Sequence, residues 1–145
     1  MAKMTKEEKY KYNNEYYKKN SLVIQRQRKN RKNTVVRGRM YSIYNNSKQR
    51  AFVKSMDFDI SLDFLCNLWD KQEGKCALTG VQLSLKKEKA RWNSNLVSLD
   101  RIDNDKGYLK NNVWLVTTKV NFAKGTQSYK DFLEMCYKVI EVSHA

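Results

Sequence analysis

The segment Ser98-Leu99-Asp100-Arg101-Ile102-Asp103-Asn104-Asp105-Lys106-Gly107-Tyr108 gathers four side chains able to ligate a metal or contact a phosphate: Asp100, Asp103, Asn104 and Asp105. Loops that join paired strands are common places for sites. Asp100 falls at the end of one predicted strand, and Asn121 on a predicted helix after the next. A strand-strand-helix arrangement can therefore bring a carboxylate and an amide oxygen together. Two hard oxygen donors on rigid elements, completed by waters and a phosphate oxygen, suit Mg²⁺ or Mn²⁺. Asp, Asn and Gly also serve any polar turn, and the residues by themselves leave that reading open.

The elements that would position these side chains follow from periodicity. Leu96 to Leu99 reads as a strand, residues 100–112 as a long loop, and Val113 to Thr117 as a second strand of β-branched and aromatic residues. The two should pair as an antiparallel hairpin. Val120 to Lys124 fits a short helix stopped by Gly125, and Ser128 with Asp131 a capped start to a last helix. Phe132, Leu133, Cys136, Val139 and Ile140 form one apolar stripe on that helix, expected to enter the core. Upstream, Phe58 and Ile60 alternate with Asp57 and Asp59 as a short strand. Ser61 caps a helix over 62–73 with Leu62, Leu65, Leu68 and Trp69 on one face. Cys76 to Gly80 reads as a turn, Val81 to Leu85 as a strand, and residues 86–95 as a charged loop. Trp69, Trp114 and Phe122 are expected to pack the hairpin, and Trp92 has no assigned role.

Charge is distributed unevenly. Residues 1–50 hold 15 Lys/Arg against three Glu, a net of +12 within a total of +14. Lys6 to Tyr17 reads as a polar helix or a segment that orders on a partner, with Leu22, Val23 and Ile24 as its nearest anchor. Arg26, Arg28, Lys29, Arg31 and Lys32 follow as a basic cluster. Val36, Met40, Ile43 and Tyr44 then recur at helical spacing, with Arg37 and Arg39 on the positive face. A polycation of this density favours a phosphate backbone, whose condensed counterions it releases. DNA is the expected partner. An anionic membrane surface could attract the same charge, and tyrosines interleaved with basic residues also suit stacking on RNA. No apolar run reaches the length of a bilayer span, and no signal-peptide core precedes the basic arm. Three cysteines without a CxxC pair argue against a disulfide framework and a four-ligand zinc site, and reduced thiols in a cytoplasm are expected.

From Cys76 to Gly125 the order and spacing of Cys-Ala-Leu-Thr-Gly, Ser-Leu-Asp-Arg-Ile-Asp, Lys-Gly-Tyr, Asn-Asn-Val-Trp and Asn121-x-x-Lys124 resemble the HNH, or ββα-metal, endonucleases, as in free-standing phage-type nucleases. The resemblance implies an α+β fold, with a small ββα-metal (HNH/His-Me finger) core, flanking helices and a basic, largely helical N-terminal arm. It divides the chain into an arm over 1–50 and a nuclease domain over 57–145. It makes Asp100 and Asn121 ligands of one Mg²⁺ or Mn²⁺, Asn112 the brace of the loop, and Lys124 a phosphate contact. Where the family usually has a histidine base after the aspartate, this sequence has Arg101, which cannot act as a base. Its one histidine, His144, stands at the C-terminal end. An Asp-Arg pair followed by Gly-Tyr is similar to the PacI restriction endonuclease. That likeness implies that Arg101 clamps phosphate charge, while Tyr108 activates or replaces the attacking water. Cys76 stands where many relatives begin a zinc-binding pair, but its partners are missing, so a small buried residue and no structural zinc are expected. The implied activity is metal-dependent hydrolysis of phosphodiester bonds in DNA, in the cytoplasm of a bacterial host if phage-encoded. The alternative is an HNH scaffold that binds nucleic acid without cutting. A homodimer stays open, since a palindromic target would need one.

Overall fold

The computed structural model describes residues 5–86 and 94–143, with the side chains of residues 27–33 outside the description. Trp92, His144 and the side chains of Arg28, Lys29, Arg31 and Lys32 therefore lie outside the described residues. The fold is α+β. In chain order its elements are α1 (Lys6–Val53), α2 (Leu62–Lys71), β1 (Val97–Arg101), β2 (Val113–Thr117), α3 (Thr118–Lys124) and α4 (Tyr129–Ser143). Among the described residues no helix is long and apolar enough to cross a membrane.

The chain divides into two compact units, residues 1–35 and 36–145. In the first unit α1 opens on a capping box. Thr5 Oγ1 accepts from Glu8 N at 3.3 Å, and Glu8 Oε2 accepts from Thr5 N at 2.8 Å. The backbone and side-chain donors of Thr5 hold the Glu8 carboxyl below its ordinary pKa. Tyr10, Tyr12, Tyr16 and Tyr17 are exposed, as are Leu22 and Val23 of the expected anchor, while its Ile24 is half-buried. A helix this polar is stabilised by its caps and local pairs rather than by a buried stripe.

The second unit begins inside α1. Val36, Met40, Ile43, Ser47 and Ala51 recur every three or four residues and are all buried, so residues 36–50, grouped with the arm in the sequence reading, belong to this core. Leu65 and Trp69 of α2 join them. Ser61 caps α2 by accepting from Phe64 N at 3.1 Å. Helix α2 ends where Glu73 and Gly74 take positive φ. A Cβ on Gly74 would meet Trp69 Cζ2 at 2.8 Å and Gln82 Nε2 at 2.9 Å, so this turn admits no side chain. The strands expected at 57–60 and 81–85 are reduced to isolated bridges, Phe58 to Tyr108, Lys75 to Gln82 and Ser84 to Leu96.

Strands β1 and β2 form an antiparallel hairpin, with Leu99 opposite Leu115 and Asp100 opposite Trp114. Strand β1 runs two residues further than its apolar pattern suggests, because Asp100 and Arg101 stay in register with Trp114 and Val113. Gln72 meets both outward backbone groups of Leu115, Oε1 accepting from Leu115 N at 3.0 Å and Nε2 donating to Leu115 O at 2.8 Å, and Ala77 N also donates to Leu115 O at 3.0 Å.

Two packing expectations are corrected. Helix α4 has the cap expected of it, Ser128 Oγ accepting from Asp131 N at 3.1 Å, but Phe132 is the one buried residue of its apolar stripe. Tyr129 meets Trp114 edge to face at 5.2 Å, and beyond that first turn Leu133, Val139 and Ile140 are exposed. Phe122, expected in the core, is 69% exposed. Cys76 is buried, as expected. Burial pushes its thiol pKa up, but the Thr79 hydroxyl and the backbone of Leu78, Thr117 and Thr79 hydrogen-bond to it and leave it below the ordinary value.

Candidate functional site

Helix α3 starts directly where β2 stops. Thr117 caps it by accepting from Val120 N at 3.1 Å, and Thr118 donates from both its amide and its hydroxyl to Leu96 O at 2.8 Å. These contacts lay α3 along β1. Alternate residues of a strand share a face, and residues three apart share one side of a helix. Ser98 and Asp100 thus meet Asn121 and Lys124. Asn121 Nδ2 donates to Ser98 Oγ at 2.7 Å and to Leu99 O at 3.4 Å. Lys124 Nζ lies 3.3 Å from Asp100 Oδ1 and donates to Arg101 O at 2.9 Å. The other carboxylate oxygen, Asp100 Oδ2, accepts from the indole Nε1 of its cross-strand neighbour Trp114 at 2.8 Å.

Asp100 and Lys124 are both buried, at 5% and 0% exposure. Lys124 therefore does not reach solvent, where a phosphate contact would require it. Burial of an ammonium is costly unless it is paired and hydrogen-bonded, and here Asp100 and the Arg101 carbonyl do both. Among the described residues no group of three or more His, Cys, Asp or Glu side chains converges. The donors available at this place are one carboxylate and one amide. They fit a hard divalent cation in kind: the indole orients the carboxylate, as outer-shell donors do for metal ligands, and Ser98 fixes the amide nitrogen of Asn121 so that its oxygen is the atom left to bind.

Arg101, Tyr108 and Asn112 form a second group, in the loop between the strands. Asn112 Oδ1 accepts from Asp103 N, and its Nδ2 donates to Asp103 O and Gly107 O, all at 2.9 Å. Every hydrogen-bonding position of the amide that faces the loop is used, so Asn112 braces this turn. Arg101 follows Asp100 and leaves β1 on the other side. Its Nη1 donates to Asn104 O at 2.9 Å and Lys106 O at 2.8 Å, and the guanidinium lies 5.6 Å from the Tyr108 ring centroid. Tyr108 is buried, with Phe58 at 6.0 Å and Arg50 at 5.9 Å from its ring. Its backbone bonds to Asp57 O at 2.8 Å and from Asp59 N at 3.0 Å. Gly107 is required there, because a Cβ would collide with the Asp57 carbonyl. Asp100 and Asn121 thus share one cluster, and Arg101 and Tyr108 share another.

A groove of about 570 Å³ runs between the last turns of α1 and the start of β1. Arg39, Asn46, Gln49, Arg50, Lys54 and Ser98 supply its polar lining. Arg39 Nη2 donates to Val97 O at 3.1 Å, while its Nε is buried without a partner. Desolvation lowers the Arg39 pKa. Of the other basic residues expected at DNA, Arg26 is exposed, and Arg37 is exposed but engaged with Asp63 at 2.8 Å. Ser98, Trp114, Arg50 and Lys54 carry no site role in the sequence reading, although Ser98 lies in the candidate segment, Trp114 in the expected hairpin packing and Arg50 on the positive face of the basic helix. Ser98 stands two residues before Asp100 and so on its face, a signal present in the strand period; the others depend on long-range register. In comparison with known proteins, no family model, no curated protein and no solved structure matches this chain.

Proposed function

We propose that this chain is a divalent-metal-dependent endonuclease that hydrolyses phosphodiester bonds in DNA, built on an HNH-type ββα-metal core. The supporting observation is the meeting of Ser98 and Asp100 of β1 with Asn121 and Lys124 of α3 across a strand-strand-helix unit. Asp100 and Asn121 hold Mg²⁺ or Mn²⁺, which when bound supplies positive charge to the scissile phosphate and the leaving oxygen. Trp114 and Ser98 hold the two ligands in position. Arg39, Arg50 and Lys54 draw the DNA backbone into the groove that Ser98 also lines, and the basic arm, with Arg26, Arg28, Lys29, Arg31, Lys32 and Arg37, adds sequence-independent affinity. Asn112 keeps the loop closed around Arg101, half-buried, and Tyr108, buried; Arg101 serves phosphate charge, and Tyr108 takes the proton of the attacking water only where the loop opens on DNA.

A second reading is favoured by one observation: the Arg101 guanidinium is already committed to Asn104 O and Lys106 O. On that reading the scaffold binds DNA and does not cut it. Supercoiled plasmid incubated with the protein in Mg²⁺, Mn²⁺ or EDTA separates the two. Metal-dependent nicking or linearisation that Asp100→Asn and Asn121→Ala abolish supports the nuclease. Binding with no cutting in any metal refutes it. A Tyr108→Phe variant that cuts at the wild-type rate removes Tyr108 from the proton transfer.

A further inference from the structure

The Lys124 ammonium occupies the place of positive charge on Asp100, the one carboxylate at the candidate metal site among the described residues. Lys124 has no solvent exposure, and its Nζ lies 3.3 Å from Asp100 Oδ1. Trp114 already holds Oδ2. Asp100 is therefore neutralised from within the fold, and its carboxylate has no face directed at open solvent. A divalent cation ligated by Asp100 would stand within a few ångströms of the ammonium. Like charges at such separations repel strongly wherever water does not screen them. The carboxylate accommodates one of the two cations at a time.

We propose that Lys124 is a resident counter-cation that competes with the divalent metal for Asp100, so that metal loads only as the ammonium swings away from the carboxylate. The proposal rests on the metal-site reading above and concerns its regulation. Two structural features permit the exchange. Lys124 is the last residue of α3, next to Gly125, and its flexible four-carbon stem can carry the ammonium off Asp100 without moving the helix. Its second partner is a single backbone carbonyl, Arg101 O, rather than a second charge. The metal-free site is thus a closed, neutral ion pair, and the loaded site frees a lysine for a phosphate oxygen. Metal and DNA should then bind each other's complexes more tightly than the free protein, by the reciprocity of linked equilibria.

Mn²⁺ titration of the full chain by electron paramagnetic resonance tests this. Lys124→Met, which removes the competitor, is expected to bind Mn²⁺ at least about tenfold more tightly than wild type, a modest share of the repulsion removed. Asp100→Asn placed in the Lys124→Met background leaves no buried charge and is expected to abolish the gain. Equal or weaker binding by Lys124→Met, with Asp100 still required, overturns the competition and leaves the metal site standing. The absence of Asp100-dependent Mn²⁺ binding from both proteins overturns the metal site and the competition together. Wild-type protein gives an independent readout should Lys124→Met fold poorly. Reductive methylation followed by peptide mass spectrometry should leave Lys124 unmodified without metal and modify it at saturating Mn²⁺. Equal protection in both states overturns the exchange.

Discussion

The loop between β1 and β2 hangs on one amide, and replacing it in two ways should give two different results. Asn112 makes three hydrogen bonds of 2.9 Å, accepting from Asp103 N and donating to Asp103 O and Gly107 O, in a residue 4% exposed. A net hydrogen bond contributes about 1 kcal/mol, and buried groups left without partners cost more. Asn112→Ala should therefore lower stability by roughly 3 kcal/mol, a large share of the 5–15 kcal/mol typical of a domain. Asn112→Asp has the same shape but turns a carboxylate oxygen toward two carbonyls. At neutral pH it should cost more than the alanine, because charge repels those oxygens and no donor is left for them. Protonation gives the introduced carboxyl one donor, so its folded-state pKa rises above the unfolded value near 3.9. A group with a raised folded pKa contributes stability below its unfolded pKa and loses it as pH rises through the folded one. The gap between Asn112→Asp and wild type should thus be widest near neutrality and narrow below about pH 4. Urea unfolding followed by tryptophan fluorescence reads both variants, with Trp69 and Trp114 inside the unit that opens. At a typical m of about 2 kcal/mol/M the alanine should move the midpoint by roughly 1.5 M. An alanine cost below about 1 kcal/mol, or an aspartate no worse than the alanine at pH 7, would refute the brace.

Gly107→Ala should cost about 2–4 kcal/mol, because its Cβ would land on the Asp57 carbonyl, with Asp57 C at 2.7 Å, and part the 57–59 segment from Tyr108. A calorimetric melt within a degree or two of wild type would show instead that this segment yields freely. Asp103 offers a milder test: the Lys106 ammonium at 3.0 Å and the amide of Asp105 hold its carboxyl below the ordinary value. A depressed folded pKa contributes stability above the unfolded pKa and loses it as pH falls through the folded one. Wild type should therefore outlast Asp103→Asn above about pH 4 and lose that margin below it, as urea midpoints across the acid range would show.

What the sequence reveals of this molecule is local. Ser61 and the Leu65–Trp69 face announce α2, the β-branched run at 113–117 gives β2 its bounds, and Ser128 with Asp131 opens α4. Asn112 is legible through the family resemblance, by its spacing from Asn121, and its three hydrogen bonds give that role a physical reason. Lys124 is not, since lysine patterns as surface, and its burial depends on a carboxylate 24 residues away. The α4 stripe misleads for the opposite reason: periodicity marks an apolar face but does not say whether anything covers it. Gln72 escapes notice, and Gly107 is seen without its reason, because each answers to backbone brought close by the tertiary fold, Leu115 for one and Asp57 for the other.

The Gln72 side chain has a consequence for association. A two-stranded sheet ordinarily offers two edges to which a foreign strand can add. Here the outer edge of β2 is occupied at Leu115 by an amide that imitates a peptide group, and the outer edge of β1 is occupied at Val97 by Ser84 O and Arg39. Each margin of the hairpin is therefore blocked at one position to an added strand. At these two positions a partner strand would find the backbone groups already bonded.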